Sequence, residues 1–106
     1  MLVVSSNQRR EYTVIVALND RQFSRLVIDP HYEEKHPDMS DEIIIQLVRA
    51  IHGTDIEPDA AVDEDGFQYF ATEVTVNKKT YRIILTYCDE DFLGVINAFR
   101  VKGSVL

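Results

Sequence analysis

The sequence predicts an α+β domain in the order ββαβββ: a mostly antiparallel sheet with one main helix packed on one face. Three observations carry this. Five stretches are β-branched or alternate apolar with polar residues; turn residues separate most of them; and a single segment, between the second and third, has helical apolar spacing. Sequential hairpins pair neighbours antiparallel, and a helix with one apolar stripe buries it against the sheet.

Each element has a local reason. Residues 1–10 lack periodicity and end in Asn7-Gln8-Arg9-Arg10, so the terminus is expected to fray. From Glu11 to Ala17, Thr13, Val14, Ile15 and Val16 favour a strand. Asn19-Asp20 supplies a tight turn. Gln22 to Ile28 alternates, with Phe23, Arg25 and Val27 on one face and Ser24, Leu26 and Ile28 on the other. Asp29-Pro30 ends that strand, because proline cannot donate to a ladder. The helix spans Ser40–His52. Ser40 is a good N-cap, Asp41 and Glu42 suit the positive end of the helix dipole, and Met39 can staple onto Ile44. Ile44, Leu47, Val48 and Ile51 form the buried stripe, Gly53 is a natural terminator, and His52 suits the last turn. Strands follow over Gly66–Val76, Thr80–Tyr87 and Phe92–Val101, joined by Asn77-Lys78-Lys79 and Cys88-Asp89-Glu90-Asp91.

Composition bounds the function. A chain of 106 residues makes one domain with one core and no separate cofactor domain. Its longest apolar runs, such as Ile43–Ile45, are far too short to cross a bilayer. No basic region precedes a long apolar segment, so no signal peptide is expected, and a cytoplasmic location is. Cys88 is the only cysteine, which excludes an internal disulfide and fits a reducing compartment. Its expected place is the end of a strand, as a small structural side chain. The net charge of −7 opposes nucleic-acid binding at first sight. However, residues 54–65 hold six acids and no base, which account for all but one of those charges. The body is nearly neutral and one loop is strongly acidic.

Candidate chemistry centres on His31-Tyr32-Glu33-Glu34-Lys35-His36-Pro37, which carries two of the three histidines beside a lysine. Strand period 2 sends Arg82 and Thr86 to the face opposite Tyr81, Ile83 and Leu85. It groups Arg100 with Ala98, Ile96 and Gly94 on a face that would adjoin Arg82 and Thr86, and turns Asn97 toward the helix with Val95 and Phe99. A one-residue slip reverses this. Lys35, Arg82 and Arg100 could then hold a phosphate, with His31 or His36 as acid or base for attack by a ribose 2′-hydroxyl. No metal or cofactor is needed. The same residues also fit a structural role: the histidines buttressing a loop, the arginines pairing with acids. Asp59, Asp63, Asp65 and Gly66 loosely imitate a calcium loop, but with the wrong spacing and no closing glutamate. His31 and His36 do not form a zinc motif.

The segment His31…Lys35-His36, the helix Ser40–His52 and the strands Tyr81–Tyr87 and Gly94–Arg100 together resemble the barnase–EndoU–RelE class of small ribonuclease folds. The resemblance spans about residues 29–102 and is topological. It implies metal-free RNA cleavage, a toxin of a toxin–antitoxin type system, and a neutralising protein partner. The acidic charge and the leading hairpin depart from that class. Two expectations therefore stand. One is a small metal-independent ribonuclease-like domain using His31, His36, Lys35, Arg82, Arg100 and Thr86 on RNA. The other is a non-catalytic interaction module, antitoxin- or immunity-like, whose acidic loop binds a basic protein partner. A homodimer through a sheet edge is compatible with both.

Overall fold

A computed structural model describes residues 9–101. The elements are β1 (Arg10–Leu18), β2 (Arg21–Ile28), α1 (Tyr32–Lys35), α2 (Asp41–Ala50), β3 (Gln68–Val76), β4 (Lys79–Tyr87) and β5 (Leu93–Arg100). The expectation for residues 1–8 lies outside the described residues; Arg10 already belongs to β1.

All five strands form one sheet in the order β1-β2-β5-β4-β3. Three pairings are antiparallel, as the hairpin pattern predicts, but β2 pairs with β5 in parallel, so the sheet is mixed. The cause is the crossover. After β2 the chain passes through both helices and re-enters the sheet at its far edge as β3. Two reversals then bring β5 back beside β2, running the same way.

Local chemistry sets the hairpins. Asn19 and Asp20 have φ of 54° and 64°, and Asn77 and Lys78 have 54° and 68°. Two consecutive positive φ values match the right-handed strand twist and close a two-residue loop. The helix forms as its caps dictate: Ser40 Oγ accepts from the Ile43 amide at 3.2 Å, and Ile44, Leu47 and Val48 are fully buried. It ends at Ala50, with Gly53 at φ 83° in the following turn. His52 does more than suit the helix end: its Nδ1 accepts from the Ala17 amide at 2.9 Å, which covers part of the β1 edge. Gly53 and Thr54 continue along that edge, bonded to Ala17 and Asn19. The short helix α1 has no periodic apolar pattern to announce it; Tyr32 within it is 2% exposed and part of the core.

The core is one cluster between α2 and the inner sheet face, containing Val16, Leu18, Phe23, Leu26, Phe70, Ile83 and Leu85. Beyond the start of β5, β2 and β4 meet directly. The Phe23 and Tyr87 rings lie 5.2 Å apart. Arg21 lies 4.8 Å from each ring and donates to the Cys88 carbonyl at 2.6 Å.

Two irregularities overturn the expected side-chain faces. In β1, the register slips between Thr13 and Val16, so two residues face Ser24 alone. β1 keeps its alternation, with Val14, Val16 and Leu18 buried, and β2 takes up the change: Phe23 and Leu26 both face the core, contrary to strict alternation. In β5, Leu85 pairs with Val95 but Ile84 with Asn97, leaving Ile96 as an extra residue. One extra residue reverses the alternation beyond it. Ala98 and Arg100 therefore align with Ile83 and Tyr81 on the helix side. Asn97 and Phe99 align with Ile84 and Arg82 on the opposite face.

Candidate functional site

The sheet face opposite α2 carries an open cavity of about 640 Å³, within the range of roughly 300–1,000 Å³ usual for ligand sites. Its floor comes from strand residues that face away from the helix: Val27, Gly94, Ile96 and Thr86. Gly94 keeps the floor low, since a Cβ there would meet the Thr86 methyl at 3.1 Å. Phe67, Tyr69 and Phe92 add aromatic surface, with the Phe67 and Phe92 rings 6.4 Å apart and inclined at 52°.

The rim is charged unevenly. On the β1–β2 side stand Arg9, Glu11, Arg25 and Asp29. These cancel by count, and Arg25 already bonds Glu11 at 3.3 Å. On the loop side stand Asp63, Asp65 and Glu90, toward which Arg25 reaches, its Nε donating to the Asp91 carbonyl at 3.3 Å. Asp63 is spent on folding its own loop. Its carboxylate accepts from the Phe67 and Asp65 amides at 2.9 Å each and from the Tyr69 hydroxyl at 3.0 Å. The Phe67 amide, with help from Tyr69 and Asp65, holds the Asp63 carboxyl below its ordinary range. Asp65 and Glu90 are exposed, and their carboxylates meet no donor among the described residues.

A second cluster lies between the helices and β1. Asp41 accepts from Arg10 Nε at 2.6 Å and Nη2 at 3.0 Å, from Tyr32 Oη at 2.6 Å, and from the Tyr12 hydroxyl. Burial pushes the Asp41 carboxyl up, but these donors outweigh it and hold the group below its ordinary value. Burial and the Asp41 charge raise the Tyr32 hydroxyl. With Asp41 accepting from all three side chains and Arg10 Nη2 also donating to Glu33 at 2.9 Å, this cluster ties β1, α1 and α2 together.

The residues singled out from sequence are dispersed. His31 is exposed, 3.9 Å from Glu34. Lys35 is exposed and forms no ion pair among the described residues. The His36 ring stacks on Phe99 at 5.1 Å, and Phe99 is the strand partner of Arg82. Arg82 lies 3.6 Å from Glu73. Arg100 sits opposite Tyr81 on the other sheet face. Thr86 donates to the Gln68 carbonyl at 2.8 Å and is the single one of the six lining the cavity. Among the described residues, no group of three or more His, Cys, Asp or Glu could hold a metal ion. The cavity residues Phe67, Phe92, Gly94 and Glu90 escaped the sequence reading, because each is unremarkable until the sheet order joins them. The loop acids had already stood out by charge. No helix among the described residues is long and apolar enough to cross a membrane. No family model, curated protein or solved structure matches the chain.

Proposed function

We propose that this chain is a non-catalytic interaction module that takes a basic protein partner onto the sheet face opposite α2. The observation that carries this reading is the cavity: an apolar floor ringed by five acids, Glu11, Asp29, Asp63, Asp65 and Glu90, against two bases, Arg9 and Arg25. Apolar area gives such a site affinity, and unmatched charge selects the sign of the partner. A fluorescent arginine-rich decapeptide, followed by anisotropy in low and physiological salt, tests it. Binding should weaken with salt and in the double variant Asp65→Asn/Glu90→Gln; absent or salt-insensitive binding counts against it.

One observation favours a second reading, metal-independent RNA cleavage. His36, stacked on Phe99, lies beside the strand pair that carries Arg82. A histidine and an arginine are two of the three parts such a reaction needs. RNA cut in the presence of a chelator by the wild type, but not by His36→Ala, would establish it.

A further inference from the structure

The cavity is bipolar in a way that identifies its ligand more closely. This step rests on the interaction reading above and deepens it. We infer that the cavity accepts one cationic side chain of an extended partner segment, with its apolar stem along Phe67 and Phe92 and its charged head between Asp65 and Glu90.

Four features converge on this. The Phe67 and Phe92 rings stand at 52° with centroids 6.4 Å apart, so they form two walls and not a flat patch. Aromatic faces attract cations through the ring quadrupole; the Arg25 guanidinium, which also lines the cavity, lies 5.8 Å from the Phe92 centroid, so the acids that outnumber the cavity's two arginines must hold an incoming charge. Asp65 and Glu90 are the loop-wall carboxylates that folding leaves uncommitted, unlike Asp63. Long basic side chains are suited to such a place, since their methylene stems cover apolar surface while the head stays near water and charge. Gly94 leaves room above the floor that a larger side chain would occupy. An anionic ligand would meet these two carboxylates, and a purely apolar one would leave both unmatched.

The test uses the full chain, isotope-labelled, and two blocked peptides. One is Ala-Leu-Arg-Leu-Ala; the other replaces arginine by citrulline, which keeps shape and loses charge. Amide shifts on titration should concentrate at residues 65–67 and 90–94. The arginine peptide should bind about tenfold tighter than the citrulline peptide, the combined scale of a cation–ring contact and two exposed ion pairs. Phe92→Leu, which keeps an apolar wall without a ring, should reduce that preference to a few-fold. Equal affinity for the two peptides, or shifts confined to other surfaces, overturns the inference. If the arginine-rich decapeptide still binds with salt dependence in that case, the broader interaction reading survives; if that binding is also absent, both fail.

Discussion

Asp41→Ala offers the sharpest test of how the architecture is held. The substitution removes the acceptor for three side chains that come from β1 and α1. The costs differ by burial. Tyr32 is 2% exposed, so its hydroxyl loses a buried partner, which costs about 2 kcal/mol. Tyr12 is half-buried, and Arg10, whose side chain is 38% exposed, turns to water; together they cost about 1 kcal/mol. Loss of an acid in the first helical turn adds roughly 0.5 kcal/mol. The sum is about 3–4 kcal/mol, which for a domain of this size lowers the melting temperature by roughly 12–25 °C. Tyr32→Phe removes the hydroxyl instead of stranding it and should cost only about 1 kcal/mol. In that background Asp41→Ala should cost about 1–2 kcal/mol less than in the wild type. The pH dependence has a definite sign. The Asp41 carboxyl is held below its ordinary value of 3.8 in the fold. Its contribution is therefore complete above that value and is lost as pH falls through the lowered one. Thermal melts of wild type and Asp41→Ala should differ most near neutral pH and converge on acidification. A variant that melts within a few degrees of wild type at neutral pH, or a gap that widens in acid, would refute the hub.

Three further outcomes follow from the same geometry. Asp63→Asn should loosen the loop without unfolding the sheet, seen as faster hydrogen exchange at the Phe67 and Asp65 amides. In the wild type that protection should persist at neutral pH and fade as pH drops through the lowered Asp63 carboxyl range, because the carboxylate is the acceptor. Gly66→Ala should cost about 1 kcal/mol in a denaturant melt, since φ is 86° and a Cβ there meets nothing within 4 Å, leaving conformational strain alone. Arg21→Leu should cost about 1–2 kcal/mol, and Arg21→Lys should restore little, because one planar group both lies over Phe23 and Tyr87 and bonds the Cys88 carbonyl.

What could be read from sequence was local. Asn19-Asp20 and Asn77-Lys78 specify their turns within two residues, and Ser40 with the Ile44–Leu47–Val48 stripe specifies the helix within ten. What could not be read depends on distant pairing. The parallel β2–β5 contact joins Leu26 to Leu93, and nothing near either residue encodes it. The extra residue at Ile96 has no signature in an apolar run where every position tolerates a strand. It nevertheless decides that Arg100 and Arg82 face opposite ways. Asp41 was legible as a helix-start acid but not as a hub, since its partners lie 9 to 31 residues away.

The two faces of the sheet meet different surroundings, and this bears on what can bind. The inner face is closed by α2 and contributes to stability through burial. The outer face keeps Val27, Ile96, Phe67 and Phe92 around an open cavity, a surface that would ordinarily invite association between copies. Carboxylates on the loop-side wall alter that outcome. A second copy presenting the same wall would bring like charges together in a chain already at −7, and like-charge juxtaposition works against a specific contact. On the proposed reading, the charge that discourages pairing of copies through this face would favour an opposite partner. Under the interaction reading, the apolar floor would supply contact area and the excess of acids would favour a cationic chain with apolar neighbours over a second copy.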